Sequence, residues 1–278
     1  MSNNIETDLP RQVANYVPLS PISFLARSAL VHQHCTSIIY GERRWTWSDT
    51  YRRCRRLASA LSKKGVGIGD TVSVMAPNIP ALFEAHFGVL MTGAVLNALN
   101  IRLESETLSY ILEHAQTKVL LTDREFSKVI KKALSNVRQK ITVIDIDDPE
   151  IQSGEFLGEV EYEAFLEDGD PEFESVLPQD DWQSISLNYT SGTTGRPKGV
   201  VYHSRGAYLL ATGNVLAWEM PHRPIYLWTL PMFHCNGWCF PWTIAAKAGT
   251  NICLRKVSSE AMYSAIAKHN VNYLCGAP

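Results

Sequence analysis

The segment with the most groups that could do chemistry is residues 189–200, which read YTSGTTGRPKGV. Its glycines let the backbone adopt positive φ and approach a ligand closely. Its hydroxyls and backbone N–H groups are hydrogen-bond donors, it contains no carboxylate, and Lys198 adds a full positive charge. This combination predicts a phosphate-binding loop. The candidate binding residues are Thr190, Ser191, Gly192, Thr193, Thr194, Gly195 and Lys198.

This segment has two other interpretations. A cluster of Ser, Thr and Gly is most often a loop without a ligand. A Walker A loop of the form GxxxxGKS/T needs Ser or Thr directly after its lysine, where this chain has Gly199. A P-loop of the kinase or GTPase type is therefore disfavoured.

A second candidate segment is residues 230–238, which read LPMFHCNGW. A histidine among aromatic and apolar residues is often a core residue, so His234 has both a structural and a catalytic interpretation. His234, Cys235 and Cys239 could also be metal ligands. No fourth ligand follows at the spacing of a zinc finger, which disfavours a metal site. The residues alone leave His234 either a core histidine or a candidate catalytic residue, and Trp238 lies four residues beyond it.

Short runs rich in β-forming residues alternate with amphipathic segments along the chain. This pattern predicts an α/β fold with mainly parallel sheets and crossover helices. A first βα subdomain is predicted over residues 1–146, and an acidic connector over residues 147–183. An incomplete second βα subdomain, which carries the phosphate-binding segment, is predicted over residues 184–278.

Several individual elements bear on the two candidate segments. Strands at 184–189 and 199–202 are predicted to flank the phosphate-binding segment. Ser48 is predicted to cap a helix that runs to Lys64. A helix over residues 237–247 is predicted to follow His234 closely.

The connector is strongly acidic. Residues 145–181 hold 15 of the 28 acidic residues and no Lys or Arg, which leaves 13 acidic against 26 basic residues in the rest of the chain. Mutual repulsion and three prolines predict an extended, solvated surface connection with a short helix near residues 162–166. An electrostatic partner site is the alternative. The basic excess elsewhere suits either polyanionic small ligands or a solvated face.

The bulk properties bear on the class of protein. The 278 residues carry a net charge of −2, which gives no reason to expect nucleic-acid or membrane-surface binding. The apolar stretches are too short for a membrane span, and the N-terminus lacks the pattern of a secretory signal. The six cysteines are scattered without a CxxC pair, which predicts reduced thiols in an intracellular protein.

Residues 189–200 resemble the signature loop of the acyl-adenylate-forming superfamily, which includes acyl-CoA synthetases, luciferases and nonribosomal-peptide adenylation domains. Residues 230–238 resemble the second core motif of that superfamily. Shorter matches look like plant-type acyl-activating enzymes, at ANYVPLSP from Ala14, PN from Pro77, HFG from His86, LNIR from Leu99 and NY from Asn188. The resemblance covers nearly the whole chain and implies the N-terminal part of the large domain of such an enzyme.

The resemblance implies an ATP-dependent carboxylate–CoA ligase that acts on a short-chain, medium-chain or aromatic acid. In this family the acid attacks the α-phosphate of Mg²⁺-bound ATP to form an acyl-adenylate, and the thiol of CoA then displaces AMP. The expected partners are ATP, CoA and a small carboxylic acid, with Mg²⁺ as the ion. The loop would hold the β- and γ-phosphates, His234 would lie between the acyl pocket and the path of CoA, and Trp238 would gate the acyl pocket.

The chain departs from the family pattern at two places. Members commonly read Ser-His-Arg-Gly where this chain has His203-Ser204-Arg205-Gly206, so no role is carried over to His203. The family motifs for adenine, ribose and Mg²⁺, the hinge and the small C-terminal domain with its lysine would all follow Pro278. The chain is therefore expected to be C-terminally truncated and to show no ligase turnover by itself.

An open sheet edge is the expected structural consequence. Residues 225–230 and 238–246 are predicted to be partly exposed, and self-association is expected. One alternative is a naturally short, inactive homologue that binds ATP or a partner chain, and the two spaced motifs disfavour an unrelated phosphate-binding protein. By family the compartment is cytoplasmic or peroxisomal, and the C-terminus lacks a peroxisomal Ser-Lys-Leu signal.

Overall fold

The structure, a computed structural model, describes residues 10–151, 153–190 and 196–276. The predicted absence of a secretory signal concerns residues 1–9, which lie outside these ranges. The last two residues, Ala277 and Pro278, lie outside them too. Within the described ranges, every helix is too short or too polar to cross a bilayer.

Strands and helices alternate along most of the chain. The strands are β1 Thr36–Tyr40, β2 Arg43–Thr46, β3 Thr71–Met75, β4 Val95–Ala98, β5 Thr117–Asp123, β6 Thr142–Ile146, β7 Val160–Glu161, β8 Ser184–Thr190, β9 Lys198–His203, β10 Ile225–Trp228, β11 Thr250–Cys253 and β12 Tyr273–Leu274. The helices are α1 Ile22–Val31, α2 Trp47–Lys63, α3 Pro80–Gly88, α4 Ser105–His114, α5 Ser127–Leu134, α6 Tyr162–Glu167, α7 Ser204–Ala217, α8 Phe240–Ala246 and α9 Ser259–His269.

The strands form two sheets. A seven-stranded sheet has the order β7-β6-β5-β3-β4-β8-β9, and a five-stranded sheet has the order β12-β10-β11-β1-β2. The pairs β8–β9 and β1–β2 are antiparallel and the other pairs are parallel, which confirms the predicted α/β fold with mainly parallel sheets. Each sheet takes strands from both ends of the chain, since β1 pairs with β11 and β4 pairs with β8. The proposed segment boundaries at 146 and 184 stay a prediction.

Helix α2 begins earlier than predicted. Its N-cap is Thr46 and not Ser48, because the Thr46 side chain accepts a hydrogen bond from the backbone N–H of Asp49 while the Asp49 carboxylate accepts one from the N–H of Thr46. This capping box satisfies two N–H groups of the first turn. Helix α3 lies close against α2: a Cβ at Gly88 would stand 2.7 Å from the Leu57 side chain.

The acidic connector is packed against the body of the molecule around its short helix, and the prediction of an extended solvated connection did not include this packing. Many of its other residues are exposed, as predicted. The predicted short helix is present as α6, and Arg53 of α2 pairs with Glu163 in it at 2.7 Å. Arg53 also pairs with Glu84, which is fully buried and accepts a hydrogen bond from the Tyr162 hydroxyl at 2.7 Å. Arg55 pairs with an acidic side chain further along the connector. The basic excess of the body therefore neutralises part of the connector.

The predicted exposure is wrong for half of residues 225–230 and for most of residues 238–246. Strand β10 lies between β11 and β12, and its residues Tyr226, Leu227 and Trp228 are fully buried. Helix α8 is buried through Ala245 because it packs against α1 and α7.

Candidate active site

The phosphate-binding segment joins two paired strands. Thr190 at the end of β8 and Lys198 at the start of β9 are register partners in an antiparallel pair, and both are exposed. The two ends of the predicted loop are thus side by side. The candidates Ser191, Gly192, Thr193, Thr194 and Gly195 lie outside the described residues.

Helix α4 supports the base of this hairpin. The Tyr189 hydroxyl lies 2.7 Å from Nδ1 of His114. Burial, with a smaller contribution from Tyr110, raises the pKa of Tyr189 to about 12, so the phenol stays protonated at neutral pH. The Arg196 guanidinium lies 5.8 Å from the centre of the Tyr110 ring. The helix thus contacts the chain on both sides of the phosphate-binding segment, at Tyr189 of β8 and at Arg196 just before β9.

A crevice of about 600 Å³ opens at the carboxyl ends of strands from both sheets. Ligands of parallel α/β sheets bind at this end of the strands. Three cationic residues line the crevice: Arg102, Arg255 and Lys256. Arg255 is used in structural ion pairs with the buried Asp123 and Asp148, at 2.7 and 2.8 Å. Arg102 and Lys256 are exposed and form no salt bridge with a described residue, so they are available to an anion.

The loop that leads to His234 is held by Asn78, which follows β3. The buried Asn78 amide donates to the carbonyls of Trp228 and Leu230, both at 3.0 Å, and accepts from the backbone N–H of Met232 at 2.8 Å. The Pro77-Asn78 pair was a point of family resemblance without an assigned role. Its role in the structure is to tie the two sheets together just before His234.

The backbone after His234 forms a left-handed turn. Residues 235–239 all have positive φ, between 51° and 63°. Four of them are not glycine, and the left-handed conformation costs roughly 1–2 kcal/mol for each L-residue. The predicted helix over residues 237–247 therefore begins too early, because the right-handed helix starts at Phe240. Such strain persists only where surrounding contacts hold it.

The turn separates its side chains into an exposed and a buried set. His234 and Trp238 are exposed, with Trp238 55% accessible, while Asn236 and Cys239 are fully buried. His234 lines a cavity of about 40 Å³ together with Tyr189 and Thr190. The structure thus brings His234 to the end of β8, where the phosphate-binding segment starts. Trp238 does not line that cavity.

Two other histidines, His203 and His86, lie in segments that were compared with the family pattern, and both have structural roles. Nδ1 of His203 accepts a hydrogen bond from the N–H of Gly206 at 2.9 Å and caps α7, and its ring stacks on Trp182 at 4.2 Å. His86 is fully buried, and burial lowers its pKa to about 4. Its carbonyl accepts a hydrogen bond from the Trp242 indole. Neither residue reaches the cavity beside His234.

Comparison with known proteins identifies the family. The chain belongs to the AMP-binding enzyme family, which matches residues 25–278, and this confirms the resemblance found in the motifs. The peroxisomal acetate/butyrate–CoA ligase AAE7 of Arabidopsis thaliana is 50% identical over 98% of this chain and 50% of that protein. The acetate–CoA ligase CCL3 of Humulus lupulus is also 50% identical, with the same coverage. The chain spans about half the length of the curated relatives it matches.

Solved structures show the same fold. The anthranilate–CoA ligase AuaEII in complex with anthranoyl-AMP matches with a TM-score of 0.83 at 20% identity, over 96% of this chain and 50% of that chain. The structure of a putative long-chain-fatty-acid–CoA ligase from Rhodopseudomonas palustris matches with a TM-score of 0.81 at 21% identity, over 92% of this chain and 63% of that chain.

Proposed function

We propose that the chain is part of an ATP-dependent acid–thiol ligase. This enzyme would join a small carboxylic acid to CoA through an acyl-adenylate. The observation that carries this proposal is the meeting of the phosphate-binding hairpin and His234 at one cavity, in a chain of the AMP-binding family. The names of the relatives, which are acetate, butyrate and benzoate ligases, support a short-chain or aromatic acid. They do not favour an inactive ATP- or partner-binding homologue.

In the first half-reaction a carboxylate oxygen of the acid attacks the α-phosphorus of ATP, and the bond to the bridging oxygen of the β-phosphate breaks. Pyrophosphate leaves and acyl-AMP remains. The phosphate-binding segment would position the β- and γ-phosphates, and Lys198 would stabilise the charge that develops on pyrophosphate. The residues proposed for this task are Thr190, Ser191, Gly192, Thr193, Thr194, Gly195 and Lys198.

In the second half-reaction the CoA sulfur attacks the acyl carbonyl, and AMP leaves with the bonding electron pair. We place His234 between the acyl group and the approaching thiol, because its side chain is exposed at the cavity that also reaches Thr190. The accessible indole of Trp238 would cover the acyl group. Arg102 and Lys256 in the larger crevice would attract a phosphate-bearing substrate.

Mg²⁺ would accompany ATP as its counter-ion. Among the residues that the structure describes, no group of three or more His, Cys, Asp or Glu side chains could hold a metal ion. We therefore assign no residue of this chain to Mg²⁺ and derive no step from it. Self-association and the compartment stay predictions.

The test of the proposal is a calorimetric titration of the chain with Mg²⁺-ATP. Lys198→Ala removes a charge-assisted contact and should weaken binding about 10- to 150-fold. Lys64→Ala, which removes an exposed lysine near the end of α2, is the matched control and should leave the dissociation constant unchanged. Equal affinities for the wild type and Lys198→Ala would show that the hairpin does not bind the phosphates.

A further inference from the structure

We propose that Asn236 is the positioning residue that fixes the left-handed turn to strand β8, and with it His234 and Trp238. The catalytic meaning of this position rests on the proposed function of His234. The mechanical claim does not, because it concerns only how the turn is held.

The Asn236 side chain is fully buried and contacts a buried hydroxyl. Its Oδ1 lies 2.8 Å from Oγ of Ser186, and Ser186 Oγ also lies 3.0 Å from the carbonyl of Leu96. A hydroxyl has only one proton, so it cannot donate to both oxygens. Turning the amide over lets Nδ2 of Asn236 donate to Ser186, which then donates to Leu96. The Asn236 Oδ1 then takes the place of Nδ2, the amide atom without a hydrogen-bond partner among the described residues, so one side of the amide stays unpaired in either orientation.

Asparagine suits this position in two ways, through its backbone preference and through its side-chain amide. Asparagine accepts the left-handed region more readily than other non-glycine residues, and Asn236 has φ 51° and ψ 42°. Its amide supplies the buried contact at the end of the turn next to His234. The other end is held separately, because the Asn214 amide donates to the Trp238 carbonyl at 3.0 Å. The turn is thus attached at two points, and loss of Asn236 should leave only the one at Trp238, so the turn as a whole should loosen.

The contact joins the two candidate segments. Ser186 lies on β8, four residues before Thr190, and the Asn188 amide of the same strand donates to Ser186 Oγ at 3.2 Å. The strand that leads into the phosphate-binding segment therefore carries the group that holds the turn after His234. The spacing between His234 and the phosphates of a bound nucleotide should depend on this contact.

The experiment is cysteine alkylation of the folded chain, followed by peptide mass spectrometry. Cys239 is fully buried at the end of the turn, while Cys54 and Cys253 are buried elsewhere and report global unfolding. In Asn236→Ala the alkylation rate of Cys239 should rise at least about tenfold, with Cys54 and Cys253 unchanged. Ser186→Ala removes the partner hydroxyl and should raise the Cys239 rate in the same direction. A shift of the Trp238 indole N–H resonance, assigned with Trp238→Phe, should accompany both changes.

Two further variants separate the side-chain contact from backbone strain. Asn270→Ala is the matched control, because Asn270 is an exposed asparagine with φ 55° at the end of α9, and it should not affect Cys239. Asn236→Gly accepts the left-handed backbone without the amide and should leave Cys239 reactive. Full protection of Cys239 in Asn236→Gly would overturn the role of the side chain. Parallel exposure of all three buried cysteines, or no change in any variant, would overturn the proposal as well.

The failure of this proposal can be distinguished from failure of the proposed function. The alkylation and resonance measurements need no nucleotide, whereas the proposed function depends on the Mg²⁺-ATP titration of Lys198→Ala. The two results are independent, so either can stand without the other.

Discussion

The β8–β9 hairpin and the turn over residues 235–239 bring candidate groups to the same cavity by opposite means. The hairpin pairs regular extended strands, and its terminal residues Thr190 and Lys198 are exposed. The turn has an unfavourable backbone, and the buried Asn236 and Gly237 hold it against the core. The difference indicates that substitutions in the hairpin should affect ligand binding more than stability, whereas substitutions in the turn should affect stability first.

The largest effect is expected at Gly237. A Cβ there would stand 2.6 Å from the Trp228 ring, and alanine would also have to keep φ 54°. Gly237→Ala should lower the free energy of unfolding by about 2–5 kcal/mol, from left-handed strain together with overpacking. Urea unfolding measures this change. Gly213→Ala is the control, because Gly213 lies inside α7 with nothing within 4 Å of an added Cβ, and it should stabilise the chain by about 0.5–1 kcal/mol. If Gly237→Ala changed the free energy of unfolding no more than Gly213→Ala does, the turn would not be sterically constrained at Gly237.

The core behind the turn should also lose stability in acid. Burial lowers the pKa of His86 to about 4, while an unfolded histidine has its ordinary pKa of about 6.5. The unfolded state therefore binds a proton first, so the stabilising contribution of neutral His86 is present above pH 6.5 and is lost as the pH falls toward 4. Between pH 7 and 4.5 the wild type should lose about 2 kcal/mol more than His86→Gln, which cannot titrate.

Urea unfolding at a series of pH values tests this prediction. The difference in the free energy of unfolding between the wild type and His86→Gln is used, because the contributions of other titrating groups cancel in it. The groups in direct contact with the His86 imidazole and carbonyl, Leu82 and Trp242, do not titrate. Parallel pH profiles for the wild type and His86→Gln would show that His86 does not stay neutral in the folded state.

The same contrast explains which elements could be predicted from the sequence. The strands that flank the phosphate-binding segment were predicted at 184–189 and 199–202 and are present as β8 and β9, because alternation and local propensity determine them. The last three residues of the turn, 237–239, fall inside the helix predicted over residues 237–247. The turn is held by Ser186, which lies 50 residues before Asn236 in the sequence, so the local pattern alone does not specify it. The one local signal was the Asn236-Gly237 pair, a common turn dipeptide.

The residues of the candidate site divide in the same way, into those that the sequence identifies and those that only the fold identifies. Lys198 and His234 could be identified from motif residues, because the chemistry requires a cation and an imidazole at those points. Asn78 and Asn236 could not, since each acts by a buried hydrogen bond to a backbone or hydroxyl group that only the fold brings near. The fastening of the acidic connector was missed for the same reason, because its partners on α2 lie more than 100 residues away.

A smaller effect is expected where the hairpin meets α7. His203 caps this helix through Nδ1, so His203→Ala should lower the free energy of unfolding by about 1 kcal/mol. His203→Asn supplies another strong N-cap side chain and should recover most of that loss. The affinity for Mg²⁺-ATP should be unchanged in both variants, because His203 is engaged by Gly206 and Trp182. Weaker ATP binding in His203→Asn at unchanged stability would show that the imidazole is part of the binding site.

The smallest effect on stability is expected at Lys198 itself. Its side chain is exposed on an edge strand, and substitutions at such positions usually change the free energy of unfolding by less than about 0.5 kcal/mol. Urea unfolding of Lys198→Ala should therefore reproduce the wild-type midpoint and slope, although its affinity for Mg²⁺-ATP should fall. A loss above about 1 kcal/mol without ligand would mean that the lysine holds the hairpin together. The weaker ATP binding would then report a deformed hairpin, and the division between a hairpin for binding and a turn for stability would not hold.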